Sequence, residues 1–169
     1  MRAPLNGIRI VEFEGIGPGP LAGRMLADMG AEVTVIVRPD AGALEGKLGS
    51  SGESPMRRGK RAVGLNLKDT VHRALAMDLV AQADALLEGN RPGVMERLGL
   101  GPADCAQRNR KLVYGRMTGW GQDGPLAQVA GHDLNYVALT GLLALSAHRG
   151  ERPIVPPTVV GDAAGALGL

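Results

Sequence analysis

Short apolar runs alternate with amphipathic stretches along most of the chain, and glycine or proline comes after nearly every run. The runs predict strands at residues 7–13, 31–37, 84–88 and 111–117, with a shorter extended segment at 61–67. Helical spacing predicts helices at residues 21–29, 68–83, 94–98 and 102–109. Because strands alternate with helices, the pattern favours an α/β fold with a mostly parallel sheet and helices on both faces.

Four segments carry expectations about packing. The helix at 68–83 should turn four apolar side chains inward: Val71, Leu75, Leu79 and Val80. A helix from residue 133 to about 147 is apolar almost all round, so we expect it to be buried and capped by Asp133. Residues 40–58 are polar and rich in glycine and serine, which is typical of a mobile surface excursion. Residues 163–169 are too short and small-sided to stand alone, so they need an element to pack against.

Bulk composition excludes several classes of protein. The 169 residues are enough for one domain with a core, and a net charge of +2 gives no case for nucleic acid or a membrane surface. No apolar run is long enough to span a bilayer. Cys105 is the single cysteine, which predicts a reducing, cytoplasmic location and a packing role for its thiol. No recognisable metal-ligand spacing is present.

The segments after the first two strands suggest a phosphate-bearing ligand. Residues 15–20 hold three glycines, but their spacing and two prolines do not fit the dinucleotide fingerprint. Arg38 stands where a nicotinamide site would have an acid, which suits a phosphorylated nucleotide, either NADP or coenzyme A. Together with Lys60 or Lys68 and with Arg91, it could meet one set of phosphates. The alternative is a glycine turn beside a solvated arginine.

His132 and Asp162 are the candidate proton-transferring residues. A histidine and a carboxylate are well suited to moving protons near neutral pH. His132 opens a predicted helix, where the positive end of the helix dipole favours the neutral imidazole that a general base requires. Each residue also has a simpler interpretation: His132 could be a helix-capping or core histidine, and Asp162 could be the N-cap of the last segment.

The chain resembles the family III CoA transferase and α-methylacyl-CoA racemase superfamily, and most closely its racemase branch. The segments that match are residues 7–13, 18–20, 26–33, 38–39, 58–61, 65–68, 90–102, 119–125, 130–136 and 161–162. They occur in the family order along nearly the whole chain. The resemblance implies a Rossmann-like fold and the large-domain portion of a family III enzyme.

A racemase of 2-methylacyl-CoA thioesters is the function that this resemblance implies. His132 and Asp162 would face opposite sides of the substrate α-carbon, one removing the proton and the other returning one through an enolate. The same resemblance implies a CoA site, with Arg91 added from its place after a strand: Arg38, Leu65, Asn66, Leu67, Lys68, Arg91, Gly131, His132, Asp133, Leu134, Asn135 and Tyr136. No cofactor is expected beyond the CoA moiety of the substrate.

Three other functions stay open. In the transferase branch, the residue matching Asp162 is a nucleophile that carries the acyl group and then CoA. A non-catalytic CoA-binding fragment or subunit is a second possibility, and an NADP oxidoreductase, resting on Arg38 alone, is a third. Val37 and Ala163 depart from the residue types common in the family, which leaves the shape of the acyl chain open.

Family members are much longer and have a second small domain, and their two subunits interlock. We therefore expect residues 1–169 to form a single CoA-binding domain, truncated before that second domain. We expect it to act on an acyl-CoA substrate as a homodimer or in an assembly with a missing half.

Overall fold

Five parallel strands form one sheet in a computed structural model that describes residues 2–39 and 54–169. The strands are β1 (Arg9–Phe13), β2 (Glu32–Val37), β3 (Arg61–Gly64), β4 (Ala85–Glu88) and β5 (Val113–Arg116). Their order across the sheet is β3-β2-β1-β4-β5, and every neighbouring pair is parallel. Every predicted extended segment is therefore a strand, while residues 40–53 of the predicted surface excursion lie outside the described residues.

The central strand β1 is buried on both faces from Ile10 to Phe13, and Glu12 is the charged residue within this buried stretch. Val11 and Phe13 contribute to a core that also holds Leu86. Ile10 contributes to a second core with Val33. Since successive side chains of a strand point to opposite faces, these are the two cores of a three-layer α/β/α sandwich.

Helices cover both faces of the sheet, which confirms the predicted layers. The helices are α1 (Pro18–Asp28), α2 (Thr70–Ala81), α3 (Val94–Arg97), α4 (Pro102–Arg108), α5 (Asp133–Leu139) and α6 (Val160–Gly168). On one face α2 and α4 bring Val80 and Cys105 into the Val11 core. On the other face α1 brings Leu26 and Ala27 against the Ile10 core.

The predicted inward face of α2 is partly wrong. Leu79 packs against the core and Val80 is fully buried, but Val71 and Leu75 are 65% and 48% exposed. Ala76 is fully buried instead, so the buried stripe runs along residues 76 and 80 rather than 71 and 75. Two apolar stripes lie side by side on α2, and the small Ala76 side chain allows the helix to pack closely against the core along one of them.

The predicted buried helix from residue 133 to about 147 is wrong in length, cap and burial. α5 ends at Leu139, because Gly141 has a φ of 81° and turns the chain into a 3₁₀ segment, Leu142–Ser146. The N-cap is His132 rather than Asp133. Val137 is buried, whereas Leu139 is 69% exposed. Apolar composition indicated a partner for every side of this helix, but in the described chain only one side has such a partner.

Two smaller expectations hold. Residues 163–169 fall within α6 and its end, and α6 packs against α1 and α5 as that short segment requires. Cys105 is buried and donates a hydrogen bond to the Leu100 carbonyl oxygen at 3.3 Å. Burial, reinforced by the charge of Asp104, raises the pKa of this thiol to about 11, so it packs as a neutral group.

No helix in the described residues is long and apolar enough to cross a membrane.

Candidate active site

The sheet order places a crevice beside the carboxyl end of β1. From β1 the chain crosses to β2 on one side, while the next neighbour on the other side is β4. The loops after β1 and β4 therefore diverge, and ligands of open parallel α/β sheets bind in the crevice that this divergence leaves.

A cavity of about 460 Å³ occupies this crevice. Its walls come from the loops after β1, β4 and β5 and from the first turns of α5 and α6. Lining residues include Gly17, Asn90, Arg91, Trp120, Gly131, His132, Tyr136 and Asp162. Within the described ranges, no group of three or more His, Cys, Asp or Glu side chains could hold a metal ion. In the described chain, the acidic and basic side chains that border the cavity are the imidazole of His132, the carboxylate of Asp162 and the guanidinium of Arg91, among mostly small or apolar groups.

His132 reaches the cavity from the N-cap position of α5. Its backbone is extended there, and its N–H donates to Asn135 Oδ1 at 2.9 Å. The Asn135 N–H returns a hydrogen bond to the His132 carbonyl oxygen at 2.8 Å. This reciprocal pair fixes the helix start and leaves the His132 side chain exposed at the cavity.

Asp162 lies within the first turn of α6, and the N-cap of that helix is Val159. The simpler interpretation of Asp162 as an N-cap is therefore wrong. Partial burial raises the pKa of Asp162 above its usual range, the nearby charge of Asp133 raises it further, and His132 lowers it. An aspartate in this position keeps its proton to a higher pH than an exposed one.

Gly17 allows the Asp162 carboxylate to approach the loop after β1. Its φ of 74° lies in the region that glycine favours, and a Cβ there would stand 2.8 Å from Asp162 Oδ2. Gly17 is one residue of the 15–20 turn, whose glycines suggested a phosphate loop. The structure shows a second requirement for glycine at this position, because a side chain here would collide with the Asp162 carboxylate.

An aromatic pair forms another wall of the cavity. The family resemblance placed Tyr136 at the CoA site, whereas the sequence reasoning did not identify Trp120 as part of it. The rings of Trp120 and Tyr136 meet edge to face with centroids 5.0 Å apart. Gly131 packs so closely that a Cβ there would lie 2.8 Å from atoms of both rings. Trp120 Nε1 is buried without a hydrogen-bond partner in the described chain. The sequence feature that could have indicated this wall is Gly-Trp-Gly at residues 119–121.

A buried acid at the end of β4 anchors the loop that carries Asn90 and Arg91. Glu88 is 3% exposed and accepts from the Asn90 N–H at 2.7 Å. It also accepts from Arg116 Nε at 3.1 Å, and Arg116 in turn pairs with Glu96 at 2.5 Å. Sequence reasoning treated Glu88 as a strand end, although a charge that ends a buried strand in a parallel sheet needs a specific partner.

The predicted CoA residues fall into three groups. Four of them border the cavity: Arg91, Gly131, His132 and Tyr136. Three others lie on α5 without lining the cavity: Asp133, whose carboxylate accepts from the Asp162 N–H, the half-exposed Leu134, and Asn135, whose Oδ1 accepts from the His132 N–H. The remaining five come after the adjacent strands: Arg38 after β2, and Leu65, Asn66, Leu67 and Lys68 after β3.

The third group, which follows β2 and β3, lies at the same carboxyl edge of the sheet as the cavity. Arg38 is exposed, and Leu65 is buried in the core. Asn66 organises the turn before α2, since its N–H donates to His72 Nδ1 at 3.0 Å and its Oδ1 accepts from the Lys68 N–H at 3.1 Å. Arg38 and Lys68 thus present their charges to solvent at the ends of neighbouring strands.

Lys60 does not belong to this set, which corrects the sequence interpretation of it as a phosphate ligand. Its ammonium group lies 2.6 Å from Glu12 Oε2 and donates to the Pro20 carbonyl oxygen at 2.8 Å. The two side chains are 1% and 3% exposed. Burial lowers the pKa of Lys60 and raises the pKa of Glu12, and their mutual attraction opposes both shifts. This ion pair is structural and ties β1 to the first turn of α1.

A parallel sheet of this order, with a crevice at its switch point, defines the class of doubly wound α/β proteins, whose ligands bind in that crevice. The particular family is identified by direct comparison. Residues 5–169 match CoA-transferase family III, and the chain belongs to that family.

Three comparisons illustrate the relationship. α-Methylacyl-CoA racemase of Mus musculus is 45% identical over 161 residues, which cover 95% of this chain and 40% of the mouse protein. Acetyl-CoA:oxalate CoA-transferase of Acetobacter aceti is 34% identical over 95% of this chain and 42% of its own length. The crystal structure of Rv3272 from Mycobacterium tuberculosis superposes with a TM-score of 0.88 at 36% identity, over 98% of this chain and 47% of that one. The chain thus spans less than half the length of these relatives, which include both a racemase and a transferase.

Proposed function

We propose that this chain supplies the proton-transferring pair of a racemase that acts on 2-methylacyl-CoA thioesters. The observation that carries the proposal is the placement of His132 and Asp162 at the starts of two helices on one cavity. Identity of 45% to a mouse α-methylacyl-CoA racemase supports this branch of the family over the transferase branch.

The proposed reaction moves one proton off the α-carbon and another onto its opposite face. The base takes the α-proton, the C–H electron pair becomes the C=C bond of the enolate, and the carbonyl π pair moves to the thioester oxygen. The electrons then return as the second residue delivers its proton, which inverts the centre. A raised pKa suits Asp162 to this task, because it must hold a proton in one direction and accept one in the other.

The CoA moiety would run along the carboxyl edge of the sheet. Its phosphates would meet Arg38 and Lys68, which come after β2 and β3, and its thioester end would reach Arg91 and His132 at the cavity. Calorimetric titration tests this placement: Arg38→Gln should weaken binding of CoA, whereas the matched surface change Arg108→Gln should not. Tight binding of NADP with none of CoA would favour an oxidoreductase instead.

Deuterium exchange at the α-carbon tests the two-base mechanism. Incubated in heavy water with each enantiomer of a 2-methylacyl-CoA, the wild-type chain should exchange and invert both. His132→Gln should stop exchange of one enantiomer and leave the other exchanging without inversion, and Asp162→Asn should show the opposite preference. Inversion at the wild-type rate by either variant would refute the mechanism.

A family III CoA transferase with Asp162 as the nucleophile is the second candidate. A partly buried carboxylate that opens on the cavity could form an acyl anhydride, and the similarity to the Acetobacter transferase favours this alternative. Hydroxylamine added during turnover with an acyl-CoA and a carboxylate acceptor should then convert Asp162 to a hydroxamate, which peptide mass spectrometry detects. An unmodified Asp162 during sustained turnover would eliminate the transferase.

The chain could instead act as a CoA-binding part that needs further protein for turnover. In that case calorimetry would find CoA binding while neither exchange nor transfer occurs. The assembly predicted from the sequence, a homodimer or an association with a missing half, is tested by sedimentation of the chain over a range of concentrations.

A further inference from the structure

Asp133 makes a contact that neither the helix-capping role nor the CoA-binding role predicted from the sequence explains. It is the first residue of α5, directly after His132, yet its side chain caps a different helix. Asp133 Oδ1 accepts a hydrogen bond from the backbone N–H of Asp162 at 2.7 Å, across 29 residues of sequence. That N–H belongs to the first turn of α6, where backbone donors have no partner within their own helix.

This hydrogen bond joins the two proposed catalytic groups through very few rotatable bonds. On one side His132 is the neighbour of the acceptor, and on the other side Asp162 is itself the donor. Gly161 keeps the contact close, since a Cβ there would stand 3.0 Å from Asp133 Oδ1 and 3.3 Å from Val137 Cγ2. This hydrogen bond between α5 and α6 therefore helps to set the separation of the imidazole and the carboxyl group.

The electrostatic surroundings of Asp162 are simple in the described chain. The titratable groups that face it are His132, Asp133 and Tyr136, all at the start of α5. Arg91 is the other charged side chain that borders the cavity within the described ranges. The neighbours of α6 from α1 and from the segment after β5, Pro18 and Met117, carry no charge. The negative charge of Asp133 thus acts on Asp162 with little competition except from His132.

We propose that Asp133 is a positioning residue for the His132–Asp162 pair, fixing Asp162 through its backbone amide and favouring a proton on the Asp162 carboxyl group through its own negative charge. Only the kinetic consequences of this proposal rest on the proposed racemase function. The hydrogen bond and the charge effect can both be measured in the chain without substrate.

Three variants separate the two effects. Asp133→Asn keeps an oxygen acceptor and removes the charge, whereas Asp133→Ala removes both. Gly161→Ala leaves every charge in place and presses on the hydrogen bond. Asp123→Asn makes the same chemical change as the first variant at an exposed position outside the site, and it is the matched control.

Carbon-13 NMR titration of the Asp162 carboxyl group gives the first measurement. Asp133→Asn should lower the pKa of Asp162 because the repelling charge is gone, and Asp123→Asn should leave it unchanged. Amide hydrogen exchange gives the second, since Asp133→Ala should remove protection from the Asp162 N–H while Asp133→Asn retains it. An unchanged Asp162 pKa in Asp133→Asn, or full protection in Asp133→Ala, would overturn the corresponding half of the proposal.

Kinetics extend the test to the reaction. Asp133→Ala and Gly161→Ala should each slow α-proton exchange by about 100-fold, the usual effect of a misplacement of about 1 Å. In Asp133→Asn the pH limb controlled by Asp162 should move to lower pH. The direction of this shift does not depend on the role of Asp162. If Asp162 acts as the acid, the limb on which the rate falls with rising pH moves to lower pH; if it acts as the base, the limb on which the rate falls with decreasing pH does so. If wild type shows no exchange, the racemase proposal fails, while the NMR and amide data still decide the role of Asp133.

Discussion

Replacing Lys60 by methionine removes the cation from an ion pair that the fold buries almost completely. Lys60 Nζ lies 2.6 Å from Glu12 Oε2, and the two side chains are 1% and 3% exposed. The same ammonium group donates to the Pro20 carbonyl oxygen at 2.8 Å, in the first turn of α1. The substitution therefore leaves a buried carboxylate without its counter-charge and a backbone carbonyl without its donor.

The expected loss is large because an unpaired charge in a core is costly. Removing one member of a buried pair costs about 3–5 kcal/mol of unfolding free energy. For a chain of this size each kcal/mol lowers the melting temperature by about 2–4 °C, so Lys60→Met should melt about 6–20 °C below wild type. The exposed pair Arg108–Asp78, with both side chains 59% exposed, supplies the control, since Arg108→Met should cost about 0.2–1 kcal/mol at most.

The pH dependence has a definite sign. Burial already raises the pKa of Glu12, and without Lys60 nothing as close opposes that shift. The folded variant then binds the Glu12 proton more tightly than the unfolded chain does. Its loss of stability should be smallest at pH values below the unfolded pKa of a glutamate and should grow as pH rises through the folded pKa.

Urea denaturation of the single variants and of the double variant Glu12→Leu/Lys60→Met measures these effects. Because the double variant has no buried charge, it should recover most of the stability that Lys60→Met loses. A single-variant loss below about 1 kcal/mol would refute the reasoning. So would a double variant as unstable as Lys60→Met, because the loss would then come from packing rather than from an uncompensated charge.

Three further predictions concern the site and the core. Gly17→Ala should slow α-proton exchange by about 100-fold, because its Cβ would press on Asp162 Oδ2, and Gly19→Ala, which has open space for a Cβ, should not; kinetics on both variants decide this. Glu88→Ala should weaken CoA binding by releasing the Asn90 N–H, and Glu88→Gln, which keeps an acceptor, should weaken it less; calorimetry would contradict the anchoring role if the two variants bound alike. Cys105 should react with a thiol reagent at pH 8 only as fast as the chain opens, because it is buried and its pKa is raised to about 11; labelling that is immediate without denaturant would disprove this.

Much of the fold could be predicted from local patterns. Short apolar, β-branched runs such as that of β1 identify strands, and their alternation with helices predicts a parallel sheet with helices on both faces. Sheet order is a consequence of how these units pack, and only the structure shows that β1 is central and that β1 and β4 flank the crevice. His132 and Asp162 were singled out by residue type and by resemblance to a family, and the structure brings both to one cavity.

Burial and partnership could not be predicted in the same way. The apolar stretch after residue 132 indicated a buried helix, but burial requires a surface opposite each face, and Leu139 and Leu145 are exposed in the described chain. Lys60 lies in a cationic run typical of a solvated surface, but the fold returns this segment to β1, where Glu12 neutralises it.

Sequence alone determined most of the segments that become strands and helices, though not the length of α5, because local structure depends on side-chain periodicity. It also determined which residue types are available for proton transfer, because that depends on their intrinsic chemistry. Tertiary structure decided what each polar group contacts. Asp133 is of a residue type that often caps the helix it begins, yet its carboxylate accepts from a backbone N–H in the first turn of α6, 29 residues away. Such partners depend on how helices that are far apart in sequence pack on the sheet. A local sequence pattern carries no information about which distant residues come into contact.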